Sequence, residues 1–147
     1  MTMAPTLENL VQAVAEFQTT HRHPERPLLA LSGLYDLDPV APAGPAAAAV
    51  WPATWLHNAE PGVYAILAGD LTVRYIGKAD VLGDRLSSHF RNGERPRVVD
   101  AERWPEPYRR YVVVVPVGQA FESLSLEAYL IRHLAPPDNA AGKGPRT

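Results

Sequence analysis

The stretch PGVYAILAGDLTVRYIGKADVLGDRLSSHF, residues 61–90, governs how the rest of the chain is read. Two alternating apolar runs, at about 62–67 and 71–76, flank Gly69-Asp70, and this pattern predicts a β-hairpin. With Gly69 and Asp70 as a two-residue loop, Ala68 pairs with Leu71 and Tyr64 stands directly opposite Tyr75. Residues opposite each other share one sheet face, with Cβ atoms ~4.5–5.5 Å apart. Two phenols are therefore expected side by side, and a phenol can move a proton and hold a water molecule. A helix is expected next, over about 80–91, with Asp80 as its N-cap and Leu82, Leu86 and Phe90 on its inner face. Arg85 and His89 are four residues apart, so they share a face of that helix one turn apart.

Downstream, Asn92 to Pro107 reads as a loop, and Tyr108 to Val117 as a strand. The run Val112-Val113-Val114-Val115 indicates a strand covered on both faces. A last helix spans about Ser123 to Leu134 and is stopped by Pro136-Pro137. Within it, Glu127 lies among Leu124, Ala128, Leu130, Ile131 and Leu134, so its carboxylate is expected to be partly buried. Such burial is costly unless the charge is paired or bound to metal. Two readings stay open: an edge carboxylate reaching solvent or an arginine, or a ligand for a hard cation such as Mg²⁺.

Upstream, residues 6–20 read as an amphipathic helix, with Thr6 as N-cap and Leu7, Leu10, Val11, Val14 and Phe17 at helical spacing. His21-Arg22-His23-Pro24 ends it. Leu28 to Leu37 is a strand candidate weakened by Gly33, and Pro39 to Pro52 is a Pro/Ala-rich linker that Trp51 and Trp55 pin to the body. The expected organisation is an extension over 1–58 and a folded domain over 59–147. That domain is α/β (α+β), with a small, mainly antiparallel three-stranded sheet flanked by helices.

The length of 147 residues suits one domain. The formal charge of -2 does not announce a nucleic-acid binder, but the charge is unevenly spread. Residues 1–70 carry a balance of -5 and residues 71–111 a balance of +3. A nucleic-acid surface is thus expected near Arg74, Lys78, Arg85, Arg91, Arg95 and Arg97. The absence of cysteine excludes disulfides and thiolate metal sites. No signal-peptide pattern and no apolar run of bilayer length is present, so a cytoplasmic protein with no membrane partner is expected. His21, His23, His57 and His133 lack zinc spacing, and Ser87 and Ser88 lack the context of a nucleophile elbow. There is no P-loop, GxGxxG or HExxH string.

The ordered set Gly62-Val63-Tyr64, Tyr75-Ile76-Gly77 with Lys78, Arg85 and His89 on the following helix, Glu127 in the last helix and Asn139 beyond it resembles the GIY-YIG nuclease superfamily. It is similar in particular to the N-terminal nuclease domain of the bacterial excision-repair incision subunit, over about Pro61 to Asn139. The resemblance implies a metal-dependent endonuclease that hydrolyses DNA phosphodiester bonds by direct water attack, with RNA left open. Tyr64 would be the general base, directly or through metal-bound hydroxide, Tyr75 would position the water, and Arg85 would stabilise the charge on phosphorus. His89 would relay the phenol proton, and Glu127 would hold one Mg²⁺, with Mn²⁺ able to substitute. Lys78, Arg74, Asn139 and Arg91 would serve substrate binding and site order, and Gly62 and Gly77 would be structural. A free phenol has a pKa near ~10, and Lys78, Arg85 and a metal are expected to lower it. His89 occupies a position that is often Tyr in repair subunits and His in restriction and homing relatives, which leaves repair, restriction, mobile-element or toxin roles open. A specificity partner protein or a homodimer is compatible with the small size. The alternative readings are a non-catalytic nucleic-acid-binding or protein-interaction module on the same fold, and a toxin or defence nuclease.

Overall fold

The computed structural model describes residues 4–37, 48–50, 57–89 and 109–140. In chain order its elements are α1 (Leu7–His21), β1 (Tyr35–Asp36), β2 (Ala49–Val50), β3 (Gly62–Ala68), β4 (Val73–Ala79), α2 (Leu82–His89), β5 (Arg109–Pro116), α3 (Ala120–Leu134) and α4 (Pro137–Ala140). Most of the linker at 39–52, Trp51, Trp55, Phe90, the loop at 92–107, and Arg91, Arg95 and Arg97 lie outside the described residues.

Helix α1 begins where its sequence dictates. Thr6 Oγ1 accepts the Asn9 amide (3.2 Å) while Asn9 Oδ1 accepts the Thr6 amide (2.9 Å), closing a capping box. Its apolar stripe, Leu10, Ala13, Val14 and Phe17, is buried.

The sheet has the strand order β2-β1-β5-β3-β4. All neighbouring pairs are antiparallel except β1–β2. The mainly antiparallel sheet flanked by helices is as expected, but two strands join it from the first half of the chain. Of the stretch Leu28 to Leu37 only Tyr35–Asp36 forms a strand. Ser32 still exchanges two bonds with Val114 (2.8 and 3.0 Å), and the Leu37 amide donates to the Arg110 carbonyl (2.7 Å). Strand β5 is thereby paired on both edges, and its valines are covered on both faces. Val113 and Val115 join Leu10, Val14, Phe17, Val63, Leu126 and Leu130 on the face covered by α1 and α3. Val112 and Val114 join Tyr64, Ile66, Leu82 and Leu86 on the face covered by α2. Each fully buried large apolar side chain contributes about 1.5–3 kcal/mol.

The hairpin register differs from the two-residue loop expected. Tyr64 stands opposite Gly77, and Tyr75 opposite Ile66. The loop is longer: the Leu71 amide donates to the Ala68 carbonyl, the Ala68 amide to the Thr72 carbonyl (both 2.9 Å), and Leu71 has φ 70°. This is a turn followed by a left-handed residue. Asp70 Oδ1 braces it by accepting from the Thr72 amide (3.1 Å) and hydroxyl (2.7 Å). A left-handed leucine costs roughly 1–2 kcal/mol, which packing of Leu71 against the core offsets. One further irregularity makes Arg74 the extra residue between the pairs Ile66–Tyr75 and Leu67–Val73. The tyrosine pairing shifts by two residues, so side-chain parity survives and both phenols stay on the α2 face.

Helix α3 starts at Ala120, earlier than the expected Ser123. Its first turn carries Glu122, which sequence reading did not single out. The buried Arg22 guanidinium grips Glu122 through Nη2 (3.1 Å) and Nε, with Arg26 Nη2 at 3.0 Å. This buried ion cluster ties the segment after α1 to α3. At its other end α3 stops with Ala135 in the left-handed region, but Pro137 opens the short helix α4. Among the described residues no helix is long and apolar enough to cross a membrane.

Since Phe17 is buried in the core shared by α1, α3 and the sheet, Phe17→Ala is expected to cost about 3–5 kcal/mol. Urea unfolding measures this directly. An unchanged midpoint would mean that α1 is peripheral to the fold.

Candidate functional site at the open edge of the sheet

Among the strands of the sheet β4 pairs with β3 alone, so its other side is an edge, met at its start by the main chain before α1, where the Pro5 carbonyl accepts the Val73 amide (2.7 Å). Helix α2 packs on one face of the sheet and α3 on the other, and a groove of about 700 Å³ lies where they meet that edge. Tyr75, Lys78, Asp80, Asp84, Arg85 and Glu127 line it.

Two glycines make the arrangement sterically possible. A Cβ on Gly77 would lie 2.5 Å from Cζ and Oη of Tyr64, so the ring of Tyr64 rests where a side chain would stand. A Cβ on Gly62 would lie 2.6 Å from the Val115 carbonyl and 2.8 Å from Leu82 Cδ1, which lets α2 sit close over the start of β3. The two phenol rings, 6.2 Å apart between centroids and tilted by 41°, are diagonal neighbours. Arg85 Nε donates to Tyr64 Oη over 3.4 Å, and the guanidinium also interacts with Tyr75.

The phenols differ in environment. Tyr64 is fully buried and Tyr75 lines the groove. Burial pushes the Tyr64 phenol well above its ordinary range, Tyr75 adds to the rise, and the Arg85 contact offsets only part of it. Among the protein's own groups desolvation outweighs the neighbouring cation, so Lys78 and Arg85 do not lower this phenol as expected. Tyr64 is therefore a neutral hydrogen-bonding group at ordinary pH.

Glu127 is half-buried on α3. Burial pushes its carboxyl up, while Lys78 and Arg85 pull it down. Among the described residues the carboxylate has no hydrogen bond and no ion pair within 4 Å. It is thus a partly desolvated acceptor lining an open groove, which suits a hard cation. Among the described residues no three His, Asp or Glu side chains converge closely enough to hold a metal ion together. Any cation here would take one protein carboxylate and complete its shell with water or substrate oxygen, as Mg²⁺ does readily.

Other candidate residues have different surroundings. Lys78 lies in the groove, 3.9 Å from the exposed Asp80, a contact that contributes little. Arg74 is not in the groove. Its Nη2 is 3.7 Å from Asp138 Oδ1, and both side chains are largely buried, so the expected substrate contact is corrected to a tie between β4 and α4. The Asn139 side chain bonds the main chain of Ile76 twice, accepting from the amide (2.8 Å) and donating to the carbonyl (2.9 Å). It completes the edge of β4 between Tyr75 and Gly77. His89 is the last residue of α2, one turn beyond Arg85, and its side chain lies outside the described residues, as does Arg91.

Helix α2 starts at Leu82, so Asp80 is not its cap. The Leu82 amide donates to the Glu60 carbonyl (2.8 Å) and the Gly83 amide to the Asn58 carbonyl (2.7 Å). A turn from another part of the chain satisfies two of the free amides of this helix, and no local sequence signal marks it.

Residues 60–140, more than half of the chain, match the family model of the UvrC-like GIY-YIG domain. The chain belongs to this family. The GIY-YIG segment contains the whole groove, whereas α1, β1 and β2 precede it. Similar curated proteins include the UvrABC system protein C of Aromatoleum aromaticum, 38% identical over 89 residues, which are 60% of this chain and 14% of that protein. The UvrABC system protein C of Xanthomonas oryzae pv. oryzae is 40% identical over 81 residues, 55% of this chain and 13% of that protein. The chain thus spans only a small part of the length of the curated relatives it matches. Among solved structures, the GIY-YIG N-terminal endonuclease domain of UvrC from Thermotoga maritima, bound to magnesium as its catalytic divalent cation, is 30% identical. The match covers 56% of this chain and 85% of that one, with a TM-score of 0.39.

A carboxyl raised by burial binds its proton more tightly in the folded state, so it supports the fold at low pH. That support is lost as pH climbs from the ordinary value of 4.5 through the raised one. Glu127→Gln is therefore expected to raise the melting temperature at about pH 7 and to leave it nearly unchanged at about pH 3. Calorimetry at both pH values checks this; equal effects at both would mean that burial does not perturb the carboxyl.

Proposed function

We propose that this chain is a divalent-metal-dependent endonuclease that hydrolyses phosphodiester bonds in DNA. The observation that carries this reading is the convergence of Tyr75, Lys78, Arg85 and Glu127 on one groove within the GIY-YIG segment. Hydrolysis needs a water in line with the leaving oxygen, positive charge where negative charge grows on phosphorus, and stabilisation of the leaving group. Arg85 supplies fixed charge at the groove wall, where preorganised charge contributes most. Lys78, with its ammonium at the rim, contacts a flanking phosphate. Glu127 would hold Mg²⁺, or Mn²⁺ in its place, and the cation when bound polarises the phosphate and stabilises the leaving oxygen.

The phenols divide the work. Tyr75, at the groove, orients the attacking water through Oη and, in concert with attack, takes its proton while passing its own phenolic proton on towards His89. Tyr64, buried and neutral, accepts the Arg85 Nε–H and keeps the guanidinium aimed, a supporting role in place of the general base first expected. His89, one helical turn beyond Arg85, is the group assigned to carry the proton onward. DNA selection falls to a partner protein or a second copy of the chain.

A supercoiled-plasmid nicking assay with Mg²⁺ or Mn²⁺ tests this. The wild type should nick, and Arg85→Ala or Glu127→Ala should each lose about 10²–10³-fold in rate. Tyr75→Phe should lose more than Tyr64→Phe. Equal cleavage by the wild type and an Arg85→Ala/Glu127→Ala double variant would defeat the assignment.

A further inference from the structure

Arg85 lies in the first turn of α2, so its position depends on how that helix begins. The start of α2 is set by a four-residue turn, 57–60, two residues before β3. Main-chain carbonyls of Asn58 and Glu60 accept the Gly83 and Leu82 amides at 2.7 and 2.8 Å. The turn is closed on itself by the Glu60 amide donating to the His57 carbonyl (3.1 Å) and by His57 Nδ1 lying 2.7 Å from Glu60 Oε2. Asn58 is packed so tightly on the helix that a Cβ on Gly83 would lie 2.1 Å from its Oδ1, 2.5 Å from its Cγ and 2.7 Å from its carbonyl oxygen. Through Pro61, whose carbonyl accepts the Val117 amide (2.9 Å), the same turn leads into the strand that carries Tyr64. It therefore fixes both partners of the Tyr64–Arg85 contact. Residues 57–59 lie outside the segment matched to the family, and His57 and Glu60 are substantially exposed at 32% and 45%.

We propose that the 57–60 turn, with Gly83 as its seat, is a positioning element that sets the Arg85 guanidinium against the groove. The inference rests on the nuclease reading for its catalytic consequence, but its structural half can be read without activity. Positive charge aimed at a transition state is sensitive to small displacements, and a misplacement of about 1 Å can cost up to about a hundredfold in rate. The effect should fall on kcat, since Arg85 acts on charge that grows only during reaction.

The test compares wild type, Gly83→Ala, His57→Ala, Glu60→Ala and Glu60→Gln in steady-state plasmid cleavage, with the Arg85 Nε–H signal followed by NMR in the same proteins. Gly83→Ala and His57→Ala should lower kcat by about ten- to a hundredfold, leave KM within about twofold, and shift the Arg85 signal. Glu60→Gln keeps an acceptor for His57 and should restore the wild-type kcat and signal that Glu60→Ala loses. A fall in stability with kcat and the Arg85 signal unchanged would overturn the proposal, because the turn would then be a plain structural staple. Should Gly83→Ala fail to fold, the His57 and Glu60 variants, which alter exposed side chains, decide it alone. A wild type that cuts no DNA removes the nuclease reading only; the Arg85 signal then still accepts or rejects the positioning role.

Discussion

The ring of Tyr64 lies across the main chain of Gly77, in space that any Cβ would fill. That contact brings the first tyrosine of the hairpin under the second strand and hides it from water. Its hydroxyl ends beside Arg85, and loss of hydration keeps it neutral. A neutral acceptor holds a guanidinium in place without cancelling its charge, whereas a carboxylate there would neutralise it. The site can thus keep a positioned cation next to its groove for the same reason that the strand needs a glycine.

The second constraint is that the groove straddles an edge. Helix α2 brings Arg85 from one face of the sheet, and α3 brings Glu127 from the other, so the two meet only beyond the last strand. An edge strand leaves main-chain amides and carbonyls open, which invites pairing with other chains. Here the Asn139 side chain fills one pair of those positions, and the Arg74–Asp138 contact holds α4 alongside. Beyond the Pro5 carbonyl that takes the Val73 amide, the strand is finished by side chains, which occupy less room than another strand and leave the groove accessible beside it.

The features legible in sequence were those with a local cause. Thr6 ahead of a 3.6-residue apolar stripe gave α1 its start and its buried face. Four consecutive valines read as a strand covered on both sides, as β5 is. The placement of Glu127 among apolar residues announced its half-burial. What sequence hid was decided between distant segments. The hairpin loop took one more residue because Leu71 could pay for a left-handed backbone through core packing, a gain no loop rule records. The cap of α2 comes from carbonyls at 58 and 60, which carry no residue signature. Arg74 looked like a phosphate contact by charge alone, but a bulge in β4 directs it to Asp138. The direction of the Tyr64 shift depends on burial, and no charge tally near the residue reveals it.

The mutual dependence of α1 and the sheet bears on how this chain can be divided. The family segment opens at residue 60, yet Leu10, Val14 and Phe17 cover one side of the strands within it. A fragment excised at that boundary would keep α3 but lose the α1 half of the apolar cover on the side away from α2. It would also leave Glu122 stranded without the guanidinium that neutralises it. The practical unit for expression, grafting or recombination is therefore larger than the unit that sequence similarity delineates.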